Sequence, residues 1–300
     1  MKVSKFTYDL NYSEPKKVVS QRKVNKTKRV ALYVILFIMA VIWLFPFVYL
    51  VGQSFAKVYV PNSFFPSFSN FTFDNYVALF DEKSAWTFWT WWKNTMIIAV
   101  ISSLISTTFV LLTSYGLSRL RFKLRPSIMK LFLILGMFPG FIGIVVVYFI
   151  LKSLGLSGSI YSLIIVYTAS SGMGYFIAKG YFDTIPRSLD EAAMIDGANK
   201  NTIFWRVILP LAKPIIVYSL LLSFVGPWGD FMMASYLAGG NSNNFNVAVG
   251  LQQMITKEAM GTHFTTFCAG GVLTSIPIMA LFFGLQRFYV EGVTGGSVKG

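Results

Sequence analysis

Long apolar runs alternate with shorter polar segments along the chain from residue 30 onward. Six of these runs reach the roughly 20 residues that an α-helix needs to cross about 30 Å of hydrocarbon. They cover residues 30–51, 95–117, 131–151, 160–178, 215–238 and 264–286. The pattern predicts an all-α polytopic membrane protein whose six transmembrane helices form one domain over residues 30–289.

Composition agrees with this prediction, and the distribution of charge orients it. Charged residues make up 13% of the 300 and hydrophobic residues 55%, whereas a soluble domain carries about 25% charged residues. Of the 26 Lys and Arg residues, 21 fall in the segments that lie on the same side as the amino terminus. Because positive charge collects on cytoplasmic loops, both termini are expected in the cytoplasm. The net charge of +14 is spread over several loops, which argues against nucleic-acid binding.

The two ends of the chain differ in composition from the apolar domain. Residues 1–29 are predicted to be a basic cytoplasmic tail, because they contain nine Lys and Arg residues and no apolar period. The apolar run that follows has no small-residue cleavage pattern, so it is interpreted as an uncleaved first span. Residues 290–300 are rich in glycine and are predicted to form a second cytoplasmic tail.

The polar segment 188–210 separates the fourth and fifth predicted spans and has the features of two short helices. Ser188 and Glu191 have the spacing of a capping box, in which each side chain bonds the other residue's backbone. Gly197 suits a left-handed turn between the helices. Asn199 or Asn201 can cap the second helix.

Asp230 is the one carboxylate inside a predicted span. A charge in the middle of a bilayer costs about 2.5–3.5 kcal/mol on insertion scales, so it should face protein or water. The Pro227, Trp228 and Gly229 that precede it suggest a broken helix lining a cavity. A purely structural partner for Asp230 is the alternative interpretation.

Aromatic and small residues give weaker signals. The tryptophans before the second predicted span are typical of an interfacial belt, with a sugar-stacking platform as the alternative. Gly136 and Gly140, and the small segment 170–174, indicate either close helix packing or a conduit with moving walls. The single cysteine, Cys268, allows no intrachain disulfide and is predicted to pack in the core. His263 has no metal-ligand neighbour in sequence, so neither a metal site nor a cofactor bound by this chain is predicted.

Residues Glu191, Ala192, Ala193, Gly197 and 207–210 have the order and spacing of the EAA-x3-G-x9-I-x-L-P loop, with Val207 in place of isoleucine. The segment therefore resembles the EAA motif of permease subunits of bacterial ABC importers. Residues 224–231 (FVGPWGDF) are similar to a W-N-D/E-F signature, with Gly229 replacing asparagine. With residues 64–80, 247–254 and 275–300, they resemble the smaller permease subunit of the maltose and multiple-sugar type.

The resemblance implies a type I importer fold in the bacterial cell (plasma or inner) membrane, embedded in the lipid bilayer. It implies a heterodimer with a second permease subunit, a cytoplasmic ABC ATPase dimer that binds ATP and Mg²⁺, and an extracytoplasmic sugar-binding protein. That binding protein would deliver the sugar substrate, for which the family suggests an oligosaccharide. Residues 245–262 would contact the binding protein.

Residues 186–213 would be the coupling helix pair that docks on the ATPase. The residues with this implied role are Ser188, Glu191, Ala192, Ala193, Asp196, Gly197, Leu209 and Pro210. Candidate sugar-pathway residues are Trp228, Asp230 and Phe231, because an aromatic face and a hydrogen-bond acceptor suit a hydroxyl-rich ring.

Two other functions were weighed against a passive permease. An ion-coupled secondary transporter using Asp230 would be expected to show inverted repeats, which are not evident, and it leaves the EAA motif unexplained. A membrane-embedded enzyme would need a nucleotide-binding loop, a zinc cluster or a nucleophile–base pair, and the sequence offers none of these. The chain is therefore predicted to be non-catalytic.

Overall fold

The computed structural model describes residues 26–60, 70–81, 86–138 and 140–295. In these residues the chain is helical, apart from short connections and one isolated antiparallel bridge between Ala56 and Phe71. It divides into two units, residues 1–48 and residues 49–300. The predicted all-α class is confirmed.

The first unit is described from residue 26, where helix α1 (Lys26–Ser54) begins. Its side chains are exposed from Lys28 to Val48, as expected of a helix that faces lipid. Because α1 begins at Lys26, the last four residues of the predicted tail are helical; the domain boundary at residue 30 remains a prediction. Residues 1–25 lie outside the described part of the chain.

Helix α3 (Phe88–Arg119) is the centre of the second unit and follows a short helix, α2 (Asp74–Phe80). It packs against helices α6, α7 and α11, introduced below. Its buried face is lined by small hydroxyl side chains, which let helix backbones approach closely; Ser106 Oγ donates to Tyr167 O at 3.2 Å and Ser114 Oγ to Tyr175 O at 3.1 Å. The 32 residues of α3 make it about 48 Å long.

Two of the predicted spans are bent rather than straight. Helices α4 (Arg125–Gly136) and α5 (Gly140–Ser153) meet at 100°. A 3₁₀ turn (Ser170–Met173) separates α6 (Ile160–Ala169) from α7 (Gly174–Thr184), which lie 41° apart.

The two glycines Gly140 and Gly174, which lie near these bends, differ in how closely other residues pack against them. A methyl group at Gly140 would have no neighbour within 4 Å, so of the two alternatives the contacts at Gly140 do not favour close helix packing. At Gly174 a methyl group would lie 3.3 Å from Val110, and there the predicted close packing is confirmed.

The coupling segment and the last helices complete the fold. Helix α8 (Ser188–Ile195) is followed by α9 (Lys200–Thr202), a π-helical stretch (Ile203–Ile208) and α10 (Leu209–Leu211). Helix α11 (Lys213–Gly229) ends before Asp230, and α12 (Met232–Leu237) follows. Helix α13 (Val247–Gln253) precedes α14 (Met260–Gly295), which carries the predicted carboxyl-terminal tail on as helix through Gly295.

Among the described residues, α1, α3 and α14 are long and apolar enough to cross a membrane. The number rises to six if each of three bent helix pairs counts as one span. The third pair is Lys200–Leu211 with α11, at 79°. The six-span count and the orientation of the termini remain predictions.

The burial of individual side chains tests the predictions for the aromatic belt, for residues 245–262 and for Cys268. Trp91 is 2% exposed and therefore belongs to the core, not to an interfacial belt; Trp89, at 55% exposed, is free to lie at an interface. The segment 245–262, which the resemblance implies as a contact with the binding protein, contains helix α13, of which Val247 and Val249 are buried. Cys268 is 1% exposed, which confirms its predicted place in the core.

Candidate coupling loop and transmembrane cavity

The segment that follows α7 folds into the predicted pair of helices. Gly197 has φ +83°, the left-handed conformation predicted for the turn between them. Asn199 caps the second helix, because its Oδ1 accepts from the backbone nitrogen of Thr202 at 2.8 Å. The second helix buries Ile203, Phe204 and Ile208, so its inner face is held by the core.

The predicted capping box is wrong. Helix α8 begins at Ser188 itself, its N-cap is Arg187, and no side chain caps it. The backbone nitrogens of Asp190 and Glu191 instead bond Arg187 O at 3.0 and 3.1 Å. Since the helix starts one residue early, Ser188 lies inside the first turn, where its hydroxyl no longer faces the orphan N–H groups.

The outer face of the coupling segment is exposed. Of the predicted coupling residues, Ala193 and Leu209 are half-buried and the others are exposed; these are Ser188, Glu191, Ala192, Asp196, Gly197 and Pro210. Large apolar side chains lie beside them: Ile195 is 87% exposed, Trp205 53% and Met194 52%. Apolar groups exposed next to polar ones are typical of a protein-interaction surface.

The inner face of α8 is anchored by an arginine that the sequence did not single out. Arg119, the last residue of α3, forms an ion pair with Asp190 at 3.1 Å, and both side chains are largely buried. The same guanidinium donates to Phe182 O at 2.9 Å and to Ile185 O at 2.7 Å. The neighbouring Ser118 Oγ donates to Asp183 at 2.5 Å. No local sequence pattern marked this ion pair, because Arg119 and Asp190 are 71 residues apart.

Asp230 lies at a break between helices, as predicted, and it has partners. Its Oδ2 accepts from the hydroxyl of Tyr167 at 2.7 Å, and its Oδ1 accepts from the backbone nitrogen of Met233 at 3.1 Å. Asn246 is fully buried and donates to Pro227 O at 3.0 Å and to Asp230 O at 2.7 Å. The carbonyls released at the break are thus satisfied, and the structural interpretation of Asp230 is the one these contacts favour.

The other two candidate pathway residues differ strongly in exposure. Trp228 is 4% exposed and packs in the core, with its ring centre 5.9 Å from that of Trp92. Phe231 is 42% exposed. Their predicted contact with sugar remains a prediction, and the burial of Trp228 speaks against it.

A cavity of about 250 Å³ lies where α11 faces the bend between α6 and α7. Its wall carries six hydroxyl side chains, which are Tyr167, Ser170, Ser171, Tyr218, Ser219 and Ser223. On α11 the lining residues Tyr218, Leu222 and Gly226 are four apart, so they share one helix face. The sequence indicated two parts of this cavity, the small segment 170–174 and the helix break at Pro227. The hydroxyl face of α11 went unnoticed because hydroxyls are common in apolar spans.

Comparison with known proteins agrees with this architecture. Residues 111–295 match the family described as the binding-protein-dependent transport system inner membrane component. The chain belongs to this family.

Individual relatives extend the match over most of the chain. The galactooligosaccharides transport system permease protein GanQ of Bacillus subtilis is 36% identical over 271 residues, which are 89% of this chain and 94% of GanQ. The maltodextrin transport system permease protein MalD of Streptococcus pneumoniae is 37% identical over 229 residues, 76% of this chain and 80% of MalD. A bacterial ABC transporter that imports the acidic polysaccharide alginate shares the fold, with a TM-score of 0.74 at 24% identity, over 88% of this chain and 98% of that one.

Proposed function

We propose that this inner membrane component is the transmembrane permease subunit of an ATP-driven carbohydrate importer. Relatives named for galactooligosaccharide and maltodextrin transport support an oligosaccharide as the substrate class. A binding protein, a second permease and a cytoplasmic ATPase dimer are its partners, and the ATPase performs the ATP hydrolysis that this chain does not catalyse. The charge distribution supports six spans with both termini in the cytoplasm, and in this arrangement the coupling segment would lie on the ATPase side of the cell membrane.

The coupling segment is the docking surface for the ATPase. The observation that carries this role is the difference between the two sides of α8: Ile195 is 87% exposed, whereas Asp190 is buried against Arg119. A short helix that is fixed on one side can pass a rigid-body rotation to the spans. Glu191 would meet a polar group of the ATPase, and Ala192 is small enough to allow close approach.

The hydroxyl-lined cavity is the proposed part of the sugar pathway. Serine and tyrosine hydroxyls both donate and accept hydrogen bonds, so they can exchange bonds with sugar hydroxyls without holding a charge in the membrane. This assignment moves the pathway from Trp228 and Phe231 to the wall formed by α6, α7 and α11. Nothing supports the alternative of an ion carrier at Asp230, whose carboxylate is occupied by Tyr167 and Met233.

The surface available to a binding protein is smaller than the predicted stretch 245–262. Helix α13 buries its inner face, and the exposed residues are Gln252, Gln253, Lys257 and Glu258 together with the start of α14. A contact with the binding protein would therefore use the end of α13 and the turn that follows it.

Glu191→Lys and Gly197→Asp test the coupling role. In vesicles with the ATPase, second permease and binding protein, both variants should insert normally but lose maltodextrin or galactooligosaccharide uptake. Glu191→Lys reverses a charge on the docking face, and Gly197→Asp strains the left-handed turn. Asp74→Lys, the same reversal of charge at an exposed residue of α2 outside both the coupling segment and the proposed binding-protein surface, serves as the control. Full uptake in Glu191→Lys would refute the docking role.

A further inference from the structure

Arg119 is the point where three elements meet. Its side chain is 5% exposed, although Arg119 is the last residue of α3. The guanidinium bonds Asp190 on α8, Phe182 O near the end of α7, and Ile185 O in the connection between α7 and α8. A planar guanidinium with five N–H donors can hold several acceptors at fixed angles.

We propose that Arg119 is a positioning residue for energy coupling: it makes the coupling helix α8 move as one body with α3 and α7. This inference rests on the proposed docking of α8 on the ATPase. It concerns a different step, the transfer of the ATPase motion to the spans.

The connection between α7 and α8 explains why such a clamp is needed. It consists of Ile185, Pro186 and Arg187, so only three residues separate the end of a span from the docking helix. The last carbonyls of α7 have no partner within the helix, and Arg119 bonds one of them. Without Arg119, a force on α8 would rotate the backbone of the connection instead of turning α7 and α3.

Two further contacts act at the same place but do not replace the clamp. Arg187 donates to Ser118 O at 3.3 Å, and the ring of Tyr115 packs 4.6 Å from that of Phe204 in the second coupling helix. Both bring the coupling segment near α3. Neither bonds Phe182 O or Asp190. Ser118 Oγ bonds Asp183 on α7 but does not bond α8, so Arg119 is the side chain of α3 that bonds both α7 and α8 among the described residues.

The test uses the whole transporter in vesicles and compares Arg119→Lys and Arg119→Gln with the same changes at Arg121. Arg121 lies two residues away, is exposed, and has no hydrogen bond or ion pair with the described residues. The readouts are the ATPase retained by the purified permease and the sugar moved per ATP hydrolysed. Because the ratio is taken per assembled complex, a low yield of a variant does not hide the result.

The amount of ATPase that the purified permease retains should stay within about twofold in both Arg119 variants, since the outer face of α8 is unchanged. The sugar moved per ATP should fall about tenfold, the change in an equilibrium that loss of one charge-assisted hydrogen bond typically produces. Arg121 variants should match the unaltered protein in both readouts.

An unchanged ratio in Arg119→Lys would overturn the inference, and so would a loss of ATPase binding with an unchanged ratio in the complexes that remain. Failure of the docking proposal has a different signature, because it would appear as full uptake in Glu191→Lys. The two results can therefore be told apart in one set of vesicles.

Discussion

The two ends of helix α3 are both fixed to neighbouring segments, but by different means. At the Arg119 end, one charged side chain bonds three acceptors on α7, α8 and their connection. At the Trp91 end, two neutral side chains make three hydrogen bonds to the segment before α13: Trp91 Nε1 donates to Ser242 O, and Asn94 Nδ2 donates to Asn243 O and Phe245 O.

The difference shows how one helix can serve two purposes. A link that depends on one guanidinium keeps its strength only while the geometry is right, which suits a joint that transmits motion. At the other end the bonds are spread over more than one neutral side chain. The Trp91 end also connects onward to the helix break, because Val247 N donates to Thr95 Oγ1 at 2.7 Å and the adjacent Asn246 holds Asp230 O. Motion of α3 therefore has a bonded route to Asp230.

Gly250→Ala should break the Trp91 end most severely. A methyl group at Gly250 would lie 2.0 Å from a ring carbon of Trp91, which is 2% exposed and cannot turn aside. Helix α13 would have to shift away and release the bond between Val247 and Thr95. We expect a destabilisation of about 3 kcal/mol, the upper part of the range for overpacked cores, measured as thermal unfolding in detergent.

The matched control is Gly180→Ala in α7, where a methyl group would have no neighbour within 4 Å. This change should be neutral or raise stability by up to about 1 kcal/mol, because alanine favours helix. Equal unfolding temperatures for the two variants would show that α13 is not held tightly against Trp91.

Asn94→Ala should have the second largest effect. Asn94 is 5% exposed, and its loss leaves the carbonyls of Asn243 and Phe245 without that donor. Leaving buried polar groups unsatisfied costs about 1–3 kcal/mol. Hydrogen exchange of the segment 241–247 should rise while that around Arg119 stays as it was. Equal loss of protection at both ends of α3 would mean that the helix does not separate them.

The all-α class was predictable from the sequence because long apolar runs with few charges indicate membrane-spanning helices. The all-α class and the breaks near Pro227 and Gly197 followed from local chemistry, and the structure agrees with both. The bend of 100° between α4 and α5 had a local signal that was not used, because Pro139 and Gly140 lie at the junction of the two helices in the sequence. The burial of α13 was not predictable, because it depends on packing against residues far away in the sequence.

The candidate site was predictable where a motif has fixed spacing. It was missed where contacts join residues that are far apart in the sequence. Gly197 and Asn199 act within a few residues, so their roles could be read locally. Arg119 and Asp190 are 71 residues apart, and each belongs to a cluster of similar charges in sequence. The capping box at Ser188 failed for a related reason, since Arg187 was drawn into the helix start by the packing of the connection beside α3.

Ser118→Ala gives the smallest expected effect and sharpens the contrast between the two ends. Ser118 Oγ donates to Asp183, but Asp183 keeps its ion pair with Lys179 at 2.6 Å, and its side chain is 42% exposed. Water can replace the lost hydroxyl, so the change in unfolding free energy should stay below about 1 kcal/mol. The sugar moved per ATP should also remain within about twofold, because the bonds of Arg119 are untouched. If Ser118→Ala uncouples transport as strongly as Arg119→Lys, the joint is a network of several side chains, and the contrast with the Trp91 end disappears.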